Sequence, residues 1–356
     1  MRVVIVEREA LGGVCLNWGC IPSKALLRNA EVISLLGHGK EFGFSASGVE
    51  VDFGAAVDRS RKVARRLVKG VAALMRDNGI EVVEGQASVT AAGVVDVRLS
   101  DGKEQRLETR NTIIATGGRA RSLSGVSVDG ERVLTYREAI TLRDLPASAI
   151  IVGAGPIGME FAHVWRTYGA EVTVVEMLTR VLPLEDEEVS SEVERAFKRR
   201  KVRLLTATRV AEVKTGDAGV RVTVTSDDGE QELEAERVLL AIGIRPNSEG
   251  IGLEEAGVDT ERGYVVVDDG MRTNIAGLYA IGDVTGKLPL AHVASAQGIV
   301  AAETIAGAES RILDYEAMPR CTYCEPQVAS LGITEAAAVR RGHEVSVGRF
   351  AIRANG

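Results

Sequence analysis

With 356 residues, the chain is long enough for two domains and the start of a third, each with its own core. Charge breaks every apolar run well short of the roughly 18 residues of a membrane span, no leader pattern opens the chain, and the net charge of −7 mixes both signs. This composition argues against a nucleic-acid footprint or a polybasic membrane patch, and leads us to expect a soluble, cytoplasmic protein that handles small molecules.

The first element is "RVVIVERE" (2–9), a short β-branched strand closed by Glu7. "GGVCLNWGCIPSKALL" (12–27) follows, placing Cys15 and Cys20 between the glycine pair Gly12-Gly13 and the start of a helix. Residues 53–80 have helical apolar spacing, with Arg and Lys on a solvated opposite face. Strand-like alternation fills 81–115, with turn signals at Gly93 and Asp101-Gly102. It ends in "TIIATGGRA" (112–120), an apolar strand that delivers Ala115-Thr116-Gly117.

The clearest organisation lies in "AIIVGAGPIGMEFAHVWRTYGAEVTVVEM" (149–177). An apolar strand over 150–152 runs into Gly153-x-Gly155-Pro156-Ile157-Gly158, a helix extends to Tyr168, and a strand over 172–175 ends at Glu176. This is the dinucleotide fingerprint in its proper setting: glycines for a tight turn, for approach of a pyrophosphate and for helix packing, with free amides at the helix N-terminus. Glu176, 18 residues beyond Gly158, is placed to accept hydrogen bonds from an adenosine ribose. Its charge repels a 2′-phosphate, which favours NAD over NADP. "RVLLAIGIRPN" (237–247) closes the unit much as "TIIATGGRA" closes the first, and Gly117 and Gly243 allow backbone close to a cofactor.

Glu7 thus matches Glu176 as the ribose carboxylate of a second such unit, and the two units read as an internal repeat. Ile150 precedes Glu176 by 26 residues, but only six residues precede Glu7. Either the natural chain begins earlier, or this unit has lost its phosphate-binding turn.

"GLYAIGDVTGKLPLAHVASAQGIVAAETIAG" (277–307) is an apolar strand into Gly282-Asp283, a loop and a helix of small residues. Asp283 stands at a strand end, where α/β sheets present their ligands, although a turn-forming Asp is the plainer reading. From Tyr315 onward the pattern is a strand, a short helix and another strand, as though a domain had only begun.

The chain has four cysteines, Cys15, Cys20, Cys321 and Cys324. A chain of this length without an export signal does not need structural bridges, so close pairs lean towards redox or metal chemistry. In a regular helix Cys15 and Cys20 would be too far apart to bridge, so Asn17-Trp18-Gly19 must loop. Pro22 suits a first helical turn, which puts the pair at a helix N-terminus, where dipole and free amides stabilise a thiolate. A zinc site would need two more ligands; the four histidines show no ligand spacing, and Cys321-x-x-Cys324 could serve only if the fold brought it close. A working redox pair, half a metal site and inert buried thiols stay open on these grounds, the first being favoured and no metal expected.

In sequence, "GGVCLNWGCIPSKALL" resembles the redox-disulfide signature of the class I pyridine nucleotide-disulfide oxidoreductases, and the form Cys-Leu-Asn-x-Gly-Cys-Ile-Pro-Ser-Lys resembles most their dihydrolipoamide-oxidising branch. Glutathione- and mercuric-ion-reducing relatives usually carry Val after the first Cys and near the Pro. "VVIVE", "ATG", "VGAGPIGMEFA", "AIGIRPN", "LYAIGDVTG", "LAHVASAQG" and "YCEPQVASLGITE" extend the likeness over essentially the whole chain.

The resemblance implies an α/β protein with two Rossmann-like three-layer domains, the NAD domain inserted in the FAD domain, followed by the start of an α+β dimerisation domain. On this chain the boundaries fall at 1–146 and 269–314 for FAD, 147–268 for NAD and 315–356 for dimerisation. It also implies that Cys15 exchanges with the dithiol substrate while Cys20 forms the thiolate facing the flavin. Lys24 would lie near the flavin ring; Glu7, Gly12, Gly13, Ala87, Thr116, Gly117, Asp283 and Ala291 would complete the FAD site. Gly153, Gly155, Pro156, Ile157, Gly158, Glu176 and Gly243 would hold NAD. Cys321 and Cys324 receive no catalytic role; packing in a strand is expected. The partners implied are a lipoyl domain of a 2-oxo acid dehydrogenase complex and a second copy of the chain, with no nucleic acid and no membrane.

Two parts of the family pattern are missing, the N-terminal Gly-x-Gly-x-x-Gly and the C-terminal His followed by Glu. We therefore expect a fragment of a longer gene product, poorly active by itself. The rival expectations are another disulfide reductase of the family and a non-catalytic NAD-binding fragment.

Overall fold

The computed structural model describes residues 2–352. Its best-formed sheet is built on Ser148–Val152, whose Ala149, Ile150, Ile151 and Val152 are all buried. That strand lies between Glu171–Val175 and Arg237–Leu240, with Arg203–Leu205 and Val133–Leu134 on the edges, and every pairing is parallel. Such near-continuous apolar runs suit parallel strands covered on both faces. Side chains alternate across the sheet, and the core follows that period of two. Ile151, Val172, Val174 and Leu239 join the helix-side core with Met159, Ala162 and Trp165. Ile150, Val152, Val238 and Leu240 face Val220, Val222 and Val224 of an antiparallel meander formed by Arg209–Gly216, Gly219–Ser226 and Gly229–Ala235. Helix, sheet and meander form three layers, as expected for the fingerprinted unit.

The first unit repeats part of this plan. Val4–Glu7 runs parallel to the start of Glu81–Ala91, in register from Val4↔Glu81 to Glu7↔Glu84, and that long strand continues into a meander with Val94–Leu99 and Glu104–Glu108. Thr112–Ile114 pairs in parallel with Leu278–Ala280 in a separate ladder. In the fingerprinted unit the strand ending at Glu176 and the strand Arg237–Leu240 are bridged by Ser148–Val152. Their counterparts here, Val4–Glu7 and Thr112–Ile114, have no strand between them among the described residues. Among the described residues the strands of this unit thus form two separate ladders.

Helix Cys20–Gly37 of the first unit packs on the glycine-loop helix Pro156–Thr167, while Phe53–Asp77 packs chiefly on Cys20–Gly37 and also touches the strand Glu81–Ala91. Leu26, Leu27, Ala30, Phe53, Ala56 and Val57 share one core with Phe161, Val164 and Trp165, and Phe53 meets Tyr168 edge-on at 5.1 Å. Asp52 caps Phe53–Asp77 by accepting from the Ala55 amide at 2.8 Å. This shared core fixes the cysteine-bearing helix against the glycine-loop helix.

After Tyr315, two strands precede the helix rather than one: Arg320–Thr322 and Val328–Ser330 form an antiparallel hairpin, and Glu335–Arg340 follows behind a Thr334 cap. The strand expected after that helix is not formed within the described residues. Val345 and Val347 alternate suitably but are exposed, and a strand without a ladder partner is not stable. Cys321 lies in the first hairpin strand, whereas Cys324 lies in the turn after it and not in a strand.

Candidate active site

The segment between the first two cysteines loops as its spacing requires. A short helix, Gly13–Asn17, ends at Trp18, and a new helix, Cys20–Gly37, starts after Gly19. Gly12 and Gly13 hold φ of +91° and +60°, the left-handed region that favours glycine. The break draws the two Cα atoms to 4.7 Å, within the range a disulfide spans, and Cys15 and Cys20 are bonded. The Asn17 amide donates to the carbonyls of Leu11 and Gly13, both at 3.0 Å, and the Arg61 guanidinium donates to the Asn17 carbonyl. Cys20 opens an 18-residue helix whose Gly19 cap offers no side chain, so the first-turn amides stay open to a thiolate.

One turn along that helix, the Lys24 ammonium lies 2.9 Å from both carboxylate oxygens of Glu160. Glu160 sits on the glycine-loop helix, 6% exposed; it also accepts from the Tyr323 amide at 3.0 Å, and Lys24 lies 4.9 Å from the Tyr323 ring centre. A buried carboxylate demands such partners. The cysteine helix, the glycine-loop helix and the terminal hairpin therefore meet at one ion pair. The sequence reading missed Glu160, although a lone acid within the apolar stretch "IGMEFA" was the available signal.

The glycine loop divides its labour by geometry. A Cβ at Gly153, where φ is +105°, would press on the Ala241 carbonyl, and one at Gly158 would collide with the Gly153 carbonyl. A Cβ at Gly155 would meet nothing within 4 Å. Two glycines thus shape the turn while the third leaves an open approach to the uncapped N-terminus of Pro156–Thr167, where a pyrophosphate fits. Ile157 packs on the core beneath. Buried Glu176 takes the Ala154 amide on Oε2 at 2.7 Å and the Leu178 amide on Oε1 at 2.8 Å, leaving further lone pairs for ribose hydroxyls. Gly243 has φ of +97° and open space at its Cβ position. These residues fit a dinucleotide.

Of the residues expected to hold FAD, Thr116 and Gly117 form a turn clasped to the second unit. The Thr116 hydroxyl donates to the Asn247 carbonyl at 2.7 Å, and the Asn247 amide donates to the Gly117 carbonyl at 2.9 Å. Asp283 follows Leu278–Ala280 in the short turn Gly282–Thr285, and its Cβ would lie 3.3 Å from a Cβ at Gly118. Burial pushes its carboxyl above the usual range, and with burial as the larger cause it raises the Tyr136 phenol nearby. Ala291 opens an uncapped helix, Ala291–Ala306. A half-buried carboxyl, a close glycine turn and open helix amides fit the flavin and its hydroxyl-bearing chain. Glu7 and Ala87 lie instead on the four-stranded piece, where Glu7 Oε1 accepts the Glu9 amide at 2.8 Å and Ala87 faces Val97. A pyrophosphate-binding glycine turn does not accompany them among the described residues.

Cys324 packs 1% exposed near His163, its thiol donating to the Pro326 carbonyl at 3.3 Å; Cys321 is exposed. Burial and then Glu160 push the Cys324 thiol up to about 12, so it is no nucleophile at neutral pH. Among the described residues, no group of three or more His, Cys, Asp and Glu side chains converges as a metal site.

Residues 1–298 match the profile described as pyridine nucleotide-disulphide oxidoreductase, and residues 318–356 that of the same family's dimerisation domain. Dihydrolipoyl dehydrogenase of Mycobacterium tuberculosis is 51% identical over 358 residues, which span all of this chain and 77% of that protein. The same-named protein of Chlorobaculum parvum is 43% identical over all of this chain and 76% of its own length. Among solved structures, LpdA from Mycobacterium tuberculosis superposes with a TM-score of 0.88 at 30% identity, covering 96% of this chain and 74% of that one. The HOCl-induced flavoprotein disulfide reductase RclA from Escherichia coli gives a TM-score of 0.83 at 25% identity, covering 97% and 75%.

Proposed function

Because this chain belongs to the pyridine nucleotide-disulphide oxidoreductase family, we propose that it oxidises protein-bound dihydrolipoamide to lipoamide, passing the electron pair through the Cys15–Cys20 disulfide and FAD to NAD⁺. A thiolate of the substrate attacks Cys15, the Cys15–Cys20 bond breaks, and Cys20 leaves as a thiolate at the helix N-terminus. The second substrate thiol then displaces Cys15, closing the lipoamide ring and leaving the protein with two reduced cysteines. Bound FAD would supply the two-electron chemistry that links this dithiol to NAD⁺ and so restores the Cys15–Cys20 disulfide. Over one cycle dihydrolipoamide and NAD⁺ become lipoamide, NADH and a proton.

The observation that carries this reading is the disulfide at the start of a helix whose next turn is ion-paired, through Lys24 and Glu160, to the helix of the glycine loop. We assign Cys15 and Cys20 to dithiol exchange. Lys24, Thr116, Gly117, Asp283 and Ala291 are assigned to the flavin end of FAD; Gly12, Gly13, Glu7 and Ala87 to the rest of it. The glycine loop, Glu176 and Gly243 are assigned to NAD. The corresponding domains are 1–146 with 269–314, 147–268 and 315–356. The match of residues 318–356 to a dimerisation domain supports a homodimer, and the reaction supports a lipoyl domain as partner. No helix among the described residues is long and apolar enough to cross a membrane, which agrees with a cytoplasmic site of action.

The test is substrate choice in protein supplied with FAD. NAD⁺ reduction by dihydrolipoamide should exceed NADPH-driven reduction of glutathione disulfide at least tenfold, and Cys15→Ser should abolish it. Faster turnover of glutathione disulfide would identify another reductase of the family. Protein that binds NADH yet takes up no FAD would identify a non-catalytic nucleotide-binding fragment.

A further inference from the structure

Within the loop that separates the two cysteines, Trp18 is held differently from its neighbours. Asn17 is fixed by its own side chain and by Arg61, and the Trp18 amide donates to the Val14 carbonyl at 2.8 Å. The partly buried indole carries a second contact: the guanidinium of Arg137 lies over it, 3.9 Å from the ring centre. A cation so close to an indole face is attracted by the ring quadrupole and packs its stem along the ring.

Arg137 is itself well anchored. It belongs to the short helix Tyr136–Ala139, which follows the edge strand Val133–Leu134 of the fingerprinted sheet and starts with a Thr135–Glu138 capping box. Its other face is ion-paired to Glu9, just past the Val4–Glu7 strand. The guanidinium therefore ties three segments together, and Trp18 is the one between the sulfurs.

From this geometry we infer that Arg137 is a positioning residue for the redox pair: stacked on Trp18, it holds the loop in the shape that brings Cys15 and Cys20 together. The inference rests on the dithiol-exchange role proposed above. A loop already held in the bridged shape raises the effective concentration of one thiol at the other, which favours the disulfide over the open dithiol. Glu9, 42% exposed, fixes the direction of the guanidinium that grips the indole.

The test is the thiol–disulfide equilibrium of the full chain against dithiothreitol. Samples are quenched by alkylation, and the Cys15–Cys20 peptide is quantified by mass spectrometry. Arg137→Met, which keeps an apolar stem and removes the charge that grips the indole, should raise the equilibrium constant for reduction about tenfold, ~30 mV for this two-electron couple. Arg137→Lys should stay within about threefold of the parent chain, and Trp18→Leu should shift the equilibrium in the direction of Arg137→Met. The double variant Arg137→Met/Trp18→Leu should shift it no further than the larger single change, because both remove one interaction. Urea unfolding of each oxidised variant separates positioning from support. An Arg137→Met chain that loses stability but keeps the parent equilibrium, additive effects in the double variant, or an Arg137→Lys chain as impaired as Arg137→Met would each overturn the inference. A parent chain whose Cys15–Cys20 pair cannot be cycled by dithiothreitol would overturn the exchange role itself, and the inference with it.

Discussion

His163 is 4% exposed, and its Nδ1 accepts from the Arg200 guanidinium at 2.9 Å when the ring is neutral. Burial, reinforced by Arg200, lowers its pKa to about 4 from the ordinary 6.5. Above pH 6.5 neither the folded nor the unfolded chain holds the extra proton. As pH falls from 6.5 towards 4 the unfolded chain binds it and the folded chain does not, so stability is lost across that window, approaching ~3 kcal/mol. Urea titrations between pH 7 and 4.5 should show a shallower acid loss for His163→Asn than for the parent chain; parallel curves would refute the neutral buried ring. Cys324 gives a second residue-scale outcome. With the Cys15–Cys20 disulfide intact, iodoacetamide at neutral pH should label exposed Cys321 and leave Cys324 unmodified, as peptide mapping would report. At this scale the sequence was legible where chemistry is local. Cys15 and Cys20 lie five positions apart and Gly153, Gly155 and Gly158 lie in one turn, but Glu160 is paired with Lys24 across 136 residues and with the Tyr323 amide across 163.

The glycine loop and its helix form the element we assign to NAD, and on that proposal its glycines separate folding from binding. Gly158→Ala drives a methyl group into the Gly153 carbonyl and should destabilise the chain by about 1–3 kcal/mol, measured by urea unfolding. Gly155→Ala meets no protein atom within 4 Å and should leave stability unchanged while weakening NADH binding at least tenfold, measured by fluorescence titration. Equal losses of stability in both variants would contradict this division. Glu176→Ala, by removing a buried carboxylate from the ribose site, should narrow the preference for NADH over NADPH by at least tenfold in the same titration. Elements with a strong period were read correctly, as Phe53–Asp77 against an expected helix over 53–80 illustrates. The end of the chain was not. Its residues alternate as strands do, but whether alternating residues pair depends on a neighbouring strand, which no local pattern contains.

Across the whole molecule, one sheet is continuous and the other is in two pieces, and the cysteine helix and the glycine-loop helix share one core. Leu26 and Leu27 of the cysteine helix pack with Phe161 and Trp165 of the glycine-loop helix, so the redox pair and the nucleotide turn are fixed relative to each other by apolar burial. The Lys24–Glu160 pair adds direction to that contact more than stability, because Lys24 remains 37% exposed. The repeat of two units was legible from Glu7 against Glu176 and "ATG" against "AIG", since both ends of a strand are written locally. That the cysteine helix would pack on the glycine-loop helix was not, because a contact between residues more than a hundred positions apart is written in neither segment alone. The account turns on an electron pair moving between the Cys15–Cys20 pair and a flavin. The most direct measurement is the absorption spectrum of FAD-supplied protein reduced with dihydrolipoamide in the absence of NAD⁺. A long-wavelength thiolate-to-flavin band should appear in the parent chain and be absent from Cys20→Ser. No band in the parent chain, or the same band in Cys20→Ser, would contradict it.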